Sequence, residues 1–202
     1  TLIAFGTGAG FTRYREIWLM GAQGETPRRF VSGSEDDAFF WAAWSPDGQR
    51  IAYERFHGTP DRLECSIESR DLKGSQPTLI LSDPRLCDAD LLFLWFPGGR
   101  FVYTMLEPET LGRYTNLWEI GVDAKTGEPV SKPRRITNWV ETHVGALSAT
   151  WDQKQLAVSR VSSQAHVYVG ELEAGGQRLE EPRRLTLDES SDFPSTWTPD
   201  SK

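Results

Sequence analysis

The chain of 202 residues carries 22 lysine and arginine residues against 29 aspartate and glutamate residues, a formal net charge of −7. Basic residues occur at most in pairs, so the chain lacks the basic patch that binds phosphate backbones, and we expect no nucleic-acid partner. No stretch approaches about 18 consecutive apolar residues, the length that spans a bilayer as a helix, so we expect no membrane insertion by this segment.

The first predicted strand covers residues 2–5 and leads into the glycine-rich segment 6–10. A dinucleotide-binding loop needs a further glycine where a helix begins. Position 11 is Phe instead, and residues 16–20, with Trp18 at their centre, are predicted to form the next strand. We therefore predict an ordinary loop between two strands at residues 6–10.

The segment from Trp44 to Tyr53, Trp-Ser-Pro-Asp-Gly-Gln-Arg-Ile-Ala-Tyr, begins an internal repeat. Copies start at Trp95, more loosely at Ala149, and at Trp197, with a spacing of about 50 residues. We predict that Pro, Asp and Gly close a hairpin after each anchor, because these residues favour the backbone angles of tight turns. The copy at Ala149 departs from the pattern, since its turn contains neither Pro nor Gly.

Two further elements repeat with the same spacing. An aromatic residue recurs at Trp18, Trp118 and Tyr168, with Cys65 as the weak member, which we predict to be a small buried apolar side chain. Pro-Arg-Arg recurs at 27–29, 133–135 and 182–184. Each unit thus contains four short runs of β-branched and aromatic residues bounded by turn residues. Four antiparallel strands repeating at about 40 to 50 residues predict an all-β fold, a β-propeller of four-stranded blades.

The blade units are predicted at approximately 1–31 (partial), 38–82, 90–138, 144–187 and 193–202 (partial), within a single β-propeller domain or fragment. Pairing of residues 193–197 with residues 2–5 would close a ring of four blades and remove both exposed edges. Alternatively, the chain is an arc of a larger propeller. The start without Met and the end inside a predicted turn favour a piece of a longer protein.

The Trp-Ser-Pro-Asp-Gly segment at 44–48 and the Arg-Arg-Ile/Leu-Thr segments at 134–137 and 183–186 resemble the TolB-type, WD40-like bacterial β-propeller repeats. Residues 116–202 are more narrowly similar to the C-terminal propellers of acidobacterial-type serine/threonine protein kinases and winged-helix regulators. The resemblance implies a sensory or interaction module whose catalytic or DNA-binding partner domain lies elsewhere. It also implies an extracytoplasmic or periplasmic location. Fold does not fix function, so these implications are analogies.

We find no pattern that predicts catalysis, a metal site or a cofactor. The sequence contains no Gly-x-Ser-x-Gly nucleophile motif, and His57, His143 and His166 have no sequence neighbour that would orient an imidazole as a base. Cys65 and Cys87 are too few for a disulfide framework, and no nearby His completes zinc-ligand spacing.

Four acidic residues precede the predicted innermost strands: Asp36, Asp37, Asp90 and Asp192. Innermost strands line the central channel of a propeller, so these carboxylates would ring one mouth and attract a cation or a basic group. Alternatively, each carboxylate caps a turn by accepting backbone N–H bonds. The Arg-Arg pairs are open to two interpretations as well, namely contact with an acidic partner or protection of an outer edge strand against aggregation.

The sequence therefore predicts a non-enzymatic propeller module that binds a protein or a small molecule at one propeller face, within a larger bacterial signalling protein. Two alternatives remain. One is the gating propeller of a prolyl-oligopeptidase-type serine peptidase without its hydrolase domain, and the other is a TolB-like envelope accessory protein. In every case the anchors Trp44, Trp95, Ala149 and Trp197 and the aromatic slot are predicted to be structural.

Overall fold

The structure is a computed structural model. It describes residues 1–8, 14–59, 62–87, 91–107, 114–140, 142–150, 152, 154–162, 165–173, 177–179, 181–187, 192 and 194. The chain divides into two compact units, Thr1–Val161 and Ser162–Lys202. Asp90 and Trp197, together with the predicted strand at 193–197, fall wholly or largely outside the described residues, so the predictions made for them stay predictions.

In the first unit, antiparallel strands follow one another in chain order through four sheets. The first sheet contains β1 (Leu2–Thr7), β2 (Glu16–Gly21) and β3 (Arg28–Ser32). The second contains β4 (Asp37–Trp44), β5 (Arg50–Thr59), β6 (Arg62–Asp71) and β7 (Thr78–Ser82). The third contains β8 (Phe93–Trp95), β9 (Arg100–Leu106), β10 (Thr115–Gly121) and β11 (Arg134–Arg135), and the fourth contains β12 (His143–Ala149) and β13 (Leu156–Val161). Short 3-10 turns lie at Pro84–Leu86 and Pro97–Gly99.

The second unit contains two short antiparallel pairs. Strand β14 (Tyr168–Val169) pairs with β17 (Arg183–Arg184), and β15 (Leu172–Glu173) pairs with β16 (Arg178–Leu179). Tyr168 lies opposite Arg184, as Trp18 lies opposite Arg29 and Trp118 opposite Arg135. The repeat found in the sequence therefore corresponds to one cross-strand register in both units, and the predicted fold class, an all-β chain of antiparallel propeller blades, is confirmed.

The anchor residues occupy one position in the hairpin between the first and second strands of their units. Trp44 pairs with Ile51, Trp95 with Phe101 and Ala149 with Leu156. Trp95 is buried, whereas Trp44 and Ala149 are half-buried. The repeat spacing thus places each anchor directly before its turn.

The turn that lacks Pro and Gly nevertheless has the same hydrogen bonds as the turn that contains them. In the second sheet, the Ser45 hydroxyl donates to Asp47 Oδ1 at 2.7 Å and accepts the N–H of Arg50 at 2.8 Å. In the fourth sheet, the Thr150 hydroxyl donates to Asp152 Oδ1 at 2.6 Å. A short hydroxyl side chain two residues before Asp is sufficient, because the two side chains replace missing backbone partners in the turn.

The Arg-Arg-Ile/Leu-Thr segments form the same hydrogen bonds at the outer strand in both units. Arg135 Nε donates to the carbonyl of Thr137 at 2.8 Å, and Thr137 Oγ1 accepts the N–H of Leu117 at 2.9 Å. In the second unit, Arg184 Nε donates to the carbonyl of Thr186, whose hydroxyl accepts a main-chain N–H from the segment before β14 at 3.1 Å. One Arg and one Thr in each segment therefore hold an outer strand that has only two residues.

Cys65 is buried, as predicted, but its interpretation is wrong in two other respects. Tyr53 lies opposite Glu68, so Glu68 occupies the position that Trp118 occupies opposite Tyr103, and Cys65 lies three residues earlier. Cys65 is also bonded to Cys87 in a disulfide, with a Cα–Cα distance of 5.2 Å. This distance lies in the ordinary range for a disulfide. The bond fixes β6 to the connection between the second and third sheets.

Three apolar clusters fill the spaces between successive sheets of the first unit. The cluster between the second and third sheets is the largest and includes Ile67, Leu86, Phe101, Tyr103 and Met105. The other two join the first sheet to the second and the third to the fourth. Packing of this kind between neighbouring sheets is the usual way in which propeller blades exclude water from their faces.

Arg50 adds a polar contact between the second and third sheets. Its guanidinium is buried and donates to Ser69 Oγ at 3.3 Å, Thr78 Oγ1 at 2.9 Å and the carbonyl of Lys125 at 3.3 Å. Gly127 makes this approach possible, since a Cβ at this position would lie 2.1 Å from Ser69 Oγ. The turn that ends at Gly127 is therefore held directly against the second sheet.

We predict opposite effects for two tyrosines at equivalent positions. The Tyr53 hydroxyl donates to Glu68 Oε2 at 3.1 Å and accepts from Arg70 Nε at 2.9 Å, so Tyr53→Phe should cost about 1.5 kcal/mol of unfolding free energy. The Tyr103 hydroxyl is buried with no hydrogen-bond partner among the described residues, so Tyr103→Phe should be neutral or stabilise the protein by up to about 1 kcal/mol. Urea denaturation of both variants measures the difference, and a larger loss for Tyr103→Phe would contradict it.

Candidate functional site

The structure places the predicted acidic residues in different environments. Asp37 is the first residue of β4 and is buried, whereas the preceding Asp36 is exposed. Asp192 belongs to the second unit, where it is half-buried and its Oδ2 atom has no hydrogen-bond partner among the described residues. Asp36 and Asp37 are thus brought together in one turn, and the proposed ring of four carboxylates stays a prediction.

The Asp37 carboxylate receives hydrogen bonds on both oxygens. Oδ2 accepts from the main-chain N–H of Ser34 at 2.7 Å and from its hydroxyl at 2.8 Å. Oδ1 accepts from Arg55 Nε at 2.8 Å and lies 3.0 Å from His57 Nδ1. Asp37 therefore caps the turn before β4, which is one of the two roles predicted for it, and also forms an ion pair with Arg55 across the sheet.

These contacts keep Asp37 ionised although it is buried. Burial alone would raise the pKa of the carboxyl group, but the hydrogen bonds from Ser34, His57 and Arg55 lower it from 3.8 to about 2. The negative charge in turn raises the pKa of the Arg55 guanidinium against the opposing effect of burial. The turn is thus held by a charged group throughout the physiological pH range.

Arg55 extends this contact across the sheet. Its Nη1 atom lies 3.4 Å from Glu68 Oε1, and the other oxygen of Glu68 accepts the Tyr53 hydroxyl. Burial and the adjacent Glu68 carboxylate raise the pKa of the Tyr53 hydroxyl. A continuous polar chain therefore connects the turn before β4 to the centre of the second sheet, on the side that faces the first sheet.

We call the contacts that Ser34, Arg55 and His57 make with the Asp37 carboxylate the clamp on Asp37. The rest of the turn faces solvent. Glu35 and Asp36 are exposed, and within the described part of the chain their carboxylates accept no hydrogen bond and form no ion pair. Their main chains are fixed, because the Glu35 carbonyl accepts from Arg15 Nη1 at 3.2 Å and the Asp36 carbonyl accepts the N–H of Gly58 at 2.9 Å. We call residues 34–36 the acidic loop.

Ligand-binding clefts have volumes of about 300 to 1,000 Å³. One cavity in this range, of about 470 Å³, adjoins the acidic loop. Its lining residues are Thr7, Gly8, Arg15, Glu16, Gly33, Ser34 and Glu35. Gly33 is needed at its base, since a Cβ there would lie 2.2 Å from Asp37 Cβ. The acidic loop thus borders a concave surface between the first and second sheets.

The sequence did not predict the pairing of His57 with Asp37. The arrangement is not that of a Ser-His-Asp triad, because the Ser34 hydroxyl donates to Asp37 and not to His57. Within the described ranges, no group of three or more His, Cys, Asp or Glu side chains is placed to hold a metal ion. No helix in the same residues is long and apolar enough to cross a membrane.

Comparisons with known proteins give matches among solved structures alone. No protein-family model and no curated protein matches the chain. TolB from Acinetobacter baumannii matches with 21% identity and a TM-score of 0.49, over 93% of this chain and 41% of TolB. An oligogalacturonate lyase in complex with manganese matches with 13% identity and a TM-score of 0.53, over 86% of this chain and 49% of the lyase.

The β-propeller domain of the Trilobed protease from Pyrococcus furiosus matches with 14% identity and a TM-score of 0.47, over 94% of this chain and 54% of that domain. The chain thus spans between 41% and 54% of the length of these three structures. Identities this low concern the fold alone. They assign no activity to the chain.

We predict that Asp37→Asn lowers the unfolding free energy by about 2 to 3 kcal/mol near neutral pH, since it leaves Arg55 and His57 without their carboxylate. Because the folded-state pKa of Asp37 lies below its ordinary value, its contribution is complete above about pH 4 and is lost as the pH falls toward 2. The difference between wild type and variant should therefore shrink over this range.

The control variant is Asp36→Asn, which removes the same charge from an exposed neighbour and should change stability by less than about 0.5 kcal/mol at any pH. Urea denaturation between about pH 7 and pH 2 measures both variants. A difference between wild type and Asp37→Asn that does not vary with pH would show that the charge of Asp37 does not stabilise the fold.

Proposed function

We propose that this chain is a non-catalytic β-propeller module that recognises a partner through the acidic loop. The observation that carries the proposal is the clamp on Asp37. The carboxylate of Asp37 is hydrogen-bonded within the fold and fixes the turn, whereas the carboxylates of Glu35 and Asp36 are exposed. Binding residues on a loop held by a rigid sheet are the usual arrangement in propellers and related scaffolds. The adjoining cavity provides the space for a side chain of the partner.

The chemistry of the acidic loop favours a basic group. Two adjacent carboxylates attract a cation, and the fixed main chain lowers the entropy lost when the ligand binds. Asp37 itself is not available to a ligand, because Ser34, Arg55 and His57 occupy its oxygens. We therefore assign ligand binding to Glu35 and Asp36 and a positioning role to Asp37.

We further propose that the module belongs to a larger bacterial signalling protein, as the resemblance to kinase-associated propellers implies. The disulfide between Cys65 and Cys87 supports an oxidising, extracytoplasmic compartment, since such bonds are rare in reducing cytosol. The same observation favours a second candidate function, that of a TolB-like envelope accessory protein. The two differ in what is fused to the chain, and sequence on either side of residues 1–202 distinguishes them.

Titration calorimetry with a hexalysine peptide tests the recognition proposal. The double variant Glu35→Gln/Asp36→Asn should bind about tenfold more weakly than wild type, because two exposed carboxylates each contribute up to about 1 kcal/mol. The matched control is Glu171→Gln/Glu173→Gln, which removes the same charge from exposed positions in the second unit. Equal weakening by both double variants would show attraction to the net charge of the chain and would contradict the proposal.

A further inference from the structure

A second cavity lies in the third sheet and has the opposite charge. It has a volume of about 390 Å³ and is bordered by the start of β9, the end of β10 and the segment that leads into β11. Its charged lining residues are Arg100, Lys132, Arg134 and Glu119. We call it the basic pocket. Three positive charges against one negative charge give it a local charge of about +2 in a chain whose formal net charge is −7.

Glu119 positions the two arginines of the basic pocket. Its Oε2 atom accepts from Arg100 Nε at 2.8 Å, and its Oε1 atom accepts from Arg134 Nε at 3.1 Å and from Arg134 Nη2. Burial of Glu119 opposes its ionisation, but these bonds lower its pKa and keep it charged. Arg100 also lies over the ring of Phe96, with its guanidinium carbon 5.7 Å from the ring centre. Both guanidinium groups are thus held in place without a ligand.

The cationic atoms that remain are free to bind a ligand. Arg100 uses Nε for Glu119, and its two Nη atoms have no acceptor among the described residues. Lys132 is exposed and forms no ion pair within the described ranges. The Nη edge of a guanidinium presents two parallel N–H donors, which match the two oxygens of a carboxylate. The pocket therefore contains a pair of parallel N–H donors on Arg100 and the ammonium group of Lys132.

Two glycines form the turn at the edge of the basic pocket. Gly98 and Gly99 have positive φ angles of 79° and 80°. A Cβ on Gly99 would lie 2.4 Å from the carbonyl of Val122, so this turn packs closely against the end of β10 and fixes the start of β9 at Arg100. A Cβ on Gly98 would meet no atom within 4 Å, so this residue borders open space. The turn thus fixes the position of Arg100 at the edge of the basic pocket.

We propose that the basic pocket binds neighbouring carboxylate side chains of an acidic peptide segment in a protein partner. The excess of two positive charges is balanced by two singly charged carboxylates, one on the Arg100 edge and one on Lys132. The volume accommodates two such side chains. Nucleic acid does not fit this pattern, because the chain as a whole is acidic and would repel a phosphate backbone. The site lies on a different sheet from the acidic loop and does not depend on the function proposed for that loop.

Binding of a fluorescent hexaglutamate peptide, measured by anisotropy at low ionic strength, tests the proposal. The double variant Arg100→Gln/Lys132→Gln should bind at least about tenfold more weakly than wild type. Arg100→Lys keeps the charge but loses the paired donors, so it should bind the peptide several-fold more weakly. The control Lys73→Gln/Lys125→Gln removes two exposed charges elsewhere and should bind as wild type does. Thermal melts identify any variant that fails to fold, and Arg100→Lys then remains as the test.

Three outcomes would overturn the proposal: no saturable binding by wild type, equal weakening by the control variant, or tighter binding of inorganic phosphate or citrate than of hexaglutamate. The first two would exclude a specific site, and the third would identify a small anion as the ligand. Hexalysine binding serves as an independent measurement, since Arg100→Gln/Lys132→Gln should leave it unchanged. A failure at the basic pocket is therefore distinguishable from a failure at the acidic loop.

Discussion

The buried carboxylate of Asp37 is the constraint on which the proposed recognition surface depends. A charge removed from water destabilises a fold unless it is paired and hydrogen-bonded, and Asp37 meets both conditions through Ser34, Arg55 and His57. Its bonds run in two directions, toward the turn before β4 and across the sheet to β5. The same group thus connects a surface loop to the interior of the second sheet, which is why the loop has a fixed shape.

Polar contacts of this kind recur between and within the sheets. Arg50 holds the third sheet against the second, and Glu119 holds Arg100 and Arg134 at the rim of the basic pocket. In each case a buried or half-buried charged group forms hydrogen bonds that hold the local structure in place. The two proposed surfaces follow the same principle with opposite signs, so one module would present a site for a basic group and a site for acidic side chains.

The fold could be predicted from the sequence because its signals are local. The Ser-x-Asp and Thr-x-Asp turns, the Arg-Ile/Leu-Thr segments and the aromatic slot act within a few residues of their own positions, so their spacing carries the blade register. The prediction failed at Cys65, because the second sheet has the polar Glu68 where the other sheets have an aromatic residue, and Cys65 lies three positions earlier in the strand. The disulfide to Cys87 has no local signal either, since it joins positions 22 residues apart.

The contacts of Asp37 across the sheet could not be predicted, because they depend on a β-bulge. Trp41 has a φ angle of 38° and is the extra residue between Phe40 and Ala42 in the pairing of β4 with β5. A bulge shifts the register by one residue and exchanges the faces of all side chains beyond it. Here it places Asp37 opposite His57. A non-glycine residue with positive φ gives no warning in the sequence, so the partners of Asp37 became evident in the structure alone.

Hydrogen exchange at the Ser34 amide tests most directly whether Asp37 holds the acidic loop. This N–H donates to the buried carboxylate, so its exchange should be at least about tenfold faster in the Asp37→Asn variant than in wild type, and unchanged in the control variant Asp36→Asn. Unchanged protection at Ser34 would show that the loop is held by other contacts, and the account of how the recognition surface is shaped would be wrong.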